Sequence, residues 1–199
     1  MSWIHHADAE QEKHSGGMVA LYPRSDYAQM LAVPGGEPVD DLHLTLVFLG
    51  DDVGYQDPGP LAAATARVAD SYDEITGRVF GHAVFNPDGH EGHDPCAVYL
   101  VGHSSDLAHI HTDAVEAAGN AFPIPDQHEP WLPHITAGYS EESSIHPNEG
   151  GSPLAIGEYT GEVIFDRLGL AFAGDTQFFP FHSADMTAAR FAYSLFRYL

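Results

Sequence analysis

Two short apolar runs, 42–49 and 132–139, are each broken by the same polar pair at the same spacing: His43-Leu44-Thr45 in one and His134-Ile135-Thr136 in the other. Both read as β-strands, and side chains alternate across a strand, so each histidine shares a face with its own threonine while the aliphatic residue between them points the other way. Any fold that buries these strands must therefore leave one face of each open to polar groups. Presented by separate strands, two imidazoles and two hydroxyls form a set that can supply an acid, a base and hydrogen bonds to phosphate oxygens.

The segments around these runs constrain the topology further. Residues 18–22 form a strand that Pro23 ends, 25–31 a short helical or irregular stretch, and Pro34-Gly35-Gly36 a turn. Leu61, Ala64, Val68, Tyr72 and Ile75 recur at helical spacing and predict an amphipathic helix over 60–75. Strands are expected at 78–85 and 97–101, separated by a Gly- and His-rich loop. Ser104 or Ser105 then caps a second helix with a buried stripe of Leu107, Ile110, Ala114 and Ala118, for which Gly119 supplies a stop. After a turn at 148–151, residues 162–173 and 177–181 form a hairpin around Gly174-Asp175, and 185–199 reads as a helix with Phe191, Leu195 and Leu199 on one side. The order favours an α+β protein of mostly antiparallel sheets with helices on their outer faces. Residues 1–16 form a polar lead-in, 17–182 a single domain and 183–199 a C-terminal extension.

With 199 residues and 44% hydrophobic side chains, the chain can bury a substantial core. No stretch approaches the roughly 20 apolar residues of a membrane span, and the N-terminus lacks a basic start followed by an apolar segment, so a cytoplasmic protein is expected. Cys96, the single cysteine, lies in an apolar run and reads as a buried structural thiol. Charge narrows the partners: 29 Asp and Glu against 7 Lys and Arg give −22, and protonation of all 14 histidines would still leave the chain negative. Such a field repels long polyanions, whose binding normally draws on several Lys and Arg. A small nucleotide or short oligonucleotide needs only one or two local cations. A solvated acidic surface explains the charge without any acidic-patch function.

Displacement at phosphorus requires a proton taken from the nucleophile, a proton given to the leaving oxygen and support for the phosphoryl oxygens. Imidazole does the first two near neutral pH, and a threonine hydroxyl does the third without bulk. Set against this is the plainer reading of each motif as a core histidine beside a β-branched residue favoured in strands. That reading has to explain why two otherwise apolar strands carry the same interruption at the same spacing. Tyr22 and Arg24, just after the first strand, are candidates for base stacking and phosphate contact, with a packing tyrosine and a surface arginine as the alternative. Trp131 precedes the second motif strand and is a candidate for stacking on a nucleobase, or for a place in the core or between lobes. Phe48 and Tyr139 have the opposite strand parity from the motif residues and are expected behind the catalytic face. His90-Glu91-Gly92-His93-Asp94, His5-His6 and His109-Ile110-His111 concentrate potential metal ligands but match no recognised zinc spacing, so no metal or cofactor is expected. The pairs Gly35-Gly36 and Gly150-Gly151 lack the Lys and Ser/Thr of a phosphate-binding loop and read as turns.

His43-Leu44-Thr45-Leu46 followed by Val47-Phe48-Leu49-Gly50, and Pro133-His134-Ile135-Thr136 followed by Ala137-Gly138-Tyr139, resemble the paired signatures of the 2H phosphoesterase superfamily, including its 2′,5′ RNA ligase-like branch. The resemblance runs from about residue 18 to 181. It implies a bilobal fold in which two mostly antiparallel sheets flank a central cleft, each presenting one motif. It also implies metal-independent cleavage of a small phosphodiester: a 2′,3′-cyclic phosphate, a 2′,5′ linkage, or a cyclic nucleotide or oligonucleotide. By the order the resemblance suggests, His43 is the general base and His134 the general acid, with Thr45 and Thr136 binding the phosphate. RNA end processing, including ligase-like reversal, is a second enzyme reading. A catalytically silent nucleotide-binding or assembly module is the non-enzyme one.

Overall fold

The computed structural model describes residues 16–87, 95–102, 104–139 and 158–182. The lead-in up to residue 15, the expected turn at 148–151, the helix expected at 185–199, the His5-His6 pair and the His90 to Asp94 cluster lie outside the described residues. In chain order the elements are β1 (Gly17–Pro23), α1 (Ser25–Leu31), a 3-10 turn (Val39–Asp41), β2 (Leu44–Gly50), α2 (Gly59–Ala69), β3 (Ile75–Phe85), β4 (Cys96–Gly102), α3 (Ser105–Ala121), β5 (His134–Tyr139), β6 (Gly161–Phe172) and β7 (Asp175–Pro180).

All seven strands belong to one sheet, and every pairing between named strands is antiparallel. The order is β2-β1-β6-β3-β4-β5, with β7 on β6 as the far arm of the expected hairpin. The α+β class and antiparallel pairing agree with the sequence reading. The two separate sheets do not: β6 is 12 residues long, its start pairing with β3 and the rest, from Phe165, with β1. One long strand thus joins two halves that short strands would have left apart. Although β2 and β5 end the path on opposite sides, they contact each other, so the sheet curls until its two motif-bearing edges meet.

Both larger helices cover one face of this sheet. In α3 the expected stripe of Leu107, Ile110, Ala114 and Ala118 is buried, and the helix packs against α2, β2 and β3. Ser104 is the cap: its backbone is extended and its Oγ accepts a hydrogen bond from the Leu107 N–H at 3.2 Å. Gly119 does not stop the helix, which runs to Ala121. Phe122 ends it in an extended conformation, which the following Pro123 enforces by crowding the helical region of the residue before it.

Helix α2 is shorter than its apolar periodicity suggests. It closes at Ala69, Tyr72 falls in the ensuing turn with its hydroxyl donating to Asp113 of α3 at 2.6 Å, and Ile75 opens β3 as a core residue. Asp70, Ser71 and Asp73 favour turns, and the β-branched Ile75-Thr76 favours a strand, so local chemistry overrode an accidental continuation of the helical spacing.

Replacement of Ser104 by Ala is expected to lower stability by about 1 kcal/mol in urea unfolding, while Ser105→Ala, beyond the cap, changes it by a few tenths at most.

Candidate active site

Each motif strand carries a β-bulge directly after its threonine. Along β2, Thr45 lies opposite Ala20 and Val47 opposite Val19, so Leu46 is the extra residue. Along β5, Thr136 lies opposite Val98 and Gly138 opposite Ala97, so Ala137 is the extra residue. A bulge resets the alternation of side chains. Leu46 and Val47 are therefore both buried, as are Ala137 and Gly138, and the next residues, Phe48 and Tyr139, return to the faces of their own histidines. The register confirms it: Met18 and Ala20, two apart on β1, face Phe48 and Thr45, while Cys96 and Val98 face Tyr139 and Thr136. The expectation that these aromatics lie behind the motif face is thus overturned, because parity counted along an unbroken strand ignores the bulge. Phe48 is 38% and Tyr139 49% exposed.

The free edges of β2 and β5 are held reciprocally. The segment leading to His134 lies along β2: the Gln127 side chain accepts from the Phe48 N–H at 2.9 Å and donates to the Phe48 carbonyl at 3.0 Å, and Trp131 Nε1–H donates to the Thr45 carbonyl at 3.2 Å. The segment leading to His43 lies along β5, where the Glu37 N–H donates to the Ala137 carbonyl at 2.8 Å. Here Gly36 and Gly138 meet backbone to backbone. A Cβ on Gly36 would come within 2.2 Å of the Ala137 oxygen, and one on Gly138 within 2.9 Å of the Gly36 Cα. The Gly35-Gly36 turn is therefore also a docking point.

The two imidazoles are anchored alike. His43 Nδ1 lies 2.6 Å from the carbonyl oxygen of Asp41, and His134 Nδ1 lies 2.8 Å from that of Leu132, each two residues upstream. A carbonyl only accepts, so each Nδ1 carries a proton and each Nε2 is left for acid–base work. Both histidines are half-buried, and they are close enough for the charge of one to act on the other. Removal from water lowers the pKa of His43 below the ordinary histidine value. The bond to Asp41 and the carboxylates of Glu37 and Asp41 oppose that shift, and positive charge on His134 reinforces it. His43 is thus the member inclined to be neutral. Thr45 Oγ1 is directed at the Met18 sulfur at 3.7 Å, a weak acceptor from which a phosphate oxygen can draw it.

The three flanking candidates fare differently. Tyr22 lies beside the site, its ring 5.8 Å from that of His43 and edge-on to Phe178 at 4.9 Å. It is buried, with 4% of its surface exposed, and packs against β6, where a Cβ at Gly169 would approach the ring to 2.3 Å, so it takes the place of a packing tyrosine and not of a stacking surface. Arg24 turns to the protein surface instead, bonded to Asp26 at 2.9 Å and to Glu74 at 3.4 Å. The cation that does stand beside Tyr22 is Arg167 of β6, opposite Tyr22 in register. No local motif marks it, since only the β1–β6 pairing brings it there. Trp131 stacks on His111 of α3 at 3.9 Å with the rings within 7° of parallel, so it takes the alternative place offered for it, joining α3 to β2. Phe85 lies edge-on to His134 at 4.8 Å and is a further neighbour that sequence reasoning missed. Among the described residues, no three His, Cys, Asp or Glu side chains gather into a set that could hold a metal ion.

No family model and no curated protein matches this sequence. Solved structures do match in fold. The protein TT0787 of Thermus thermophilus aligns with 19% identity over 78% of this chain and 86% of its own, with a TM-score of 0.52. A protein described as a phosphoesterase aligns with 17% identity over 84% of this chain and 95% of its own, with a TM-score of 0.51. Escherichia coli LigT complexed with 3′-AMP aligns with 17% identity over the same shares, with a TM-score of 0.49. At these identities the first two establish a shared fold.

Gly36→Ala should lower stability by about 1–3 kcal/mol in denaturant unfolding by forcing the 34–37 segment off β5. In a histidine-resolved NMR titration, His43 should have its midpoint below about 6.5. A midpoint at or above that value would contradict the burial argument.

Proposed function

We propose that this chain is a 2H-type phosphodiesterase that hydrolyses a small cyclic or short oligonucleotide phosphodiester by two-histidine acid–base catalysis. The observation that carries the reading is the matched anchoring of the two imidazoles. Two sequence-distant histidines, each followed by a threonine on the same face, have Nδ1 tied to a carbonyl two residues upstream and sit within electrostatic reach of one another. A pair of incidental core histidines has no reason to share all of these features. The fold held in common with the protein described as a phosphoesterase is consistent with the reading.

In the proposed reaction, neutral His43 takes a proton on Nε2 from a water whose oxygen bonds to phosphorus. Protonated His134 gives its Nε2 proton to the ester oxygen as the phosphorus–oxygen bond breaks. One water is consumed, the products are a phosphate monoester and an alcohol, and the reversed protonation states reset through solvent. Thr45 and Thr136 donate to the non-bridging oxygens and hold phosphorus between the rings. The lowered pKa of His43 suits it to the basic role, in the order the sequence motifs suggest. Phe48 and Tyr139 flank the motifs on the same face and are placed to pack against the nucleoside. With −22 charge overall, the surface favours a small ligand over a long nucleic acid. A cytoplasmic protein acting without a metal completes the proposal.

His43→Ala and His134→Ala should each reduce kcat by about 10²–10⁴-fold while leaving the fold intact by circular dichroism, tested on 2′,3′-cyclic mononucleotides, 2′,5′-linked oligonucleotides and cyclic dinucleotides in EDTA. The pH–rate profile should be bell-shaped. His43 must be neutral to act, so activity falls as pH drops through its lowered pKa, and the acid limb lies below about pH 6.5. A requirement for added divalent ions, or full turnover without both histidines, would sink the proposal.

A further inference from the structure

On the His43 side of the site, Arg167, Tyr22 and Phe178 form a cation–aromatic cluster that the two-histidine chemistry does not use. The Arg167 guanidinium carbon lies 5.7 Å from the Tyr22 ring centroid and 5.0 Å from that of Phe178. Tyr22 neighbours both this cation and His43, with its ring 5.8 Å from the imidazole. A β-bulge explains the arrangement: Tyr22 lies opposite Arg167 and Pro23 opposite Phe165, so Asp166 is the extra residue. It is brought alongside Arg167, and Asp166 Oδ1 accepts from Arg167 Nη1 at 2.7 Å. The bond to Asp166 engages Nη1, and the rings of Tyr22 and Phe178 lie against the guanidinium. The Nε–Nη2 edge is the kind of fork that grips two phosphate oxygens at once. Phe178 is 44% exposed, which keeps the cluster in contact with solvent.

We infer that Arg167, lying against both Tyr22 and Phe178, forms a second anion subsite that binds the phosphate next to the one undergoing reaction. The substrate class is then a nucleotide carrying at least two phosphates, one at the histidine pair and one at Arg167. This rests on the phosphodiesterase reading for the place of the reacting phosphate. Physically, a singly charged diester at the histidine pair gains little long-range attraction from a chain of −22. A positioned arginine that shares Tyr22 as a neighbour with His43 supplies that attraction locally, and the neighbouring carboxylate of Asp166 moderates it.

The test compares adenosine 2′,3′-cyclic phosphate with its 5′-phosphorylated counterpart. Calorimetric binding is measured on the full chain carrying both His43→Ala and His134→Ala, so that neither ligand is consumed. The 5′-phosphorylated ligand should bind about tenfold more tightly, as one charge-assisted hydrogen-bonded contact warrants, and Arg167→Gln should bring that ratio close to one. Arg167→Lys, which keeps the charge and loses the fork, should retain part of the preference. It serves as the decisive variant if Arg167→Gln unfolds in a thermal melt. Equal binding of the two ligands, binding of neither, or a preference undiminished by substitution of Arg167 would overturn the inference. Turnover by the unmodified protein is scored separately: its failure on every phosphodiester removes the hydrolase reading, while the binding ratio still decides the role of Arg167.

Discussion

The arrangement depends on a reciprocal closure of two strand edges. β2 and β5 end the sheet, and an open strand edge exposes backbone donors and acceptors that invite pairing with another chain. Here each edge is occupied by the segment that precedes the opposite motif. Gln127 and Trp131 bond to β2 on the way to His134, and Glu37 bonds to β5 on the way to His43, with Gly36 seated on Gly138. The hydrogen bonds that satisfy the edges are therefore the ones that set the two histidines across from each other. Backbone and amide contacts of this kind are short-ranged and directional, so the separation of the imidazoles is fixed by the fold.

Within that frame, near-symmetry of structure coexists with asymmetry of environment. The bulges after Thr45 and Thr136 give both strands one polar face carrying histidine, threonine and an aromatic residue, and both imidazoles donate from Nδ1 to a carbonyl two residues back. The surroundings differ. Tyr22 stands beside His43, and Phe85 beside His134. Burial disfavours charge on His43, and Glu37 and Asp41 temper that effect. Unequal surroundings thus lower the pKa of His43 although the anchoring of the two rings is matched.

Much of the fold was legible along the chain. The α3 stripe, the Ser104 cap, the central strands and the β6–β7 hairpin follow from local periodicity and capping chemistry, which act over a few residues. So did the pairing of His with Thr on one face, because the bulge comes after the threonine in each motif. Ile75, Phe48 and Tyr139 differ from expectation for one shared reason, a periodicity extended past the point where local geometry broke it, whereas at Gly119 the helix runs on to Ala121 through a residue expected to stop it. Arg24 and Arg167 differ in kind. Ion pairs with Asp26 and Glu74 turn Arg24 away, and the cation beside Tyr22 is Arg167, far along the chain.

By itself, then, the sequence determined the α+β class, the helical faces and the sharing of one strand face by histidine and threonine in each motif, since strand alternation and side-chain identity are local properties. Tertiary structure alone decided that one long β6 would join the halves into a single curled sheet, that the free edges would close on each other's approach segments, and that Arg167 would neighbour Tyr22. Those outcomes depend on which strands pair and in what register, and on where an extra residue resets it. Such choices are made by contacts between distant segments, which no short window of residues contains.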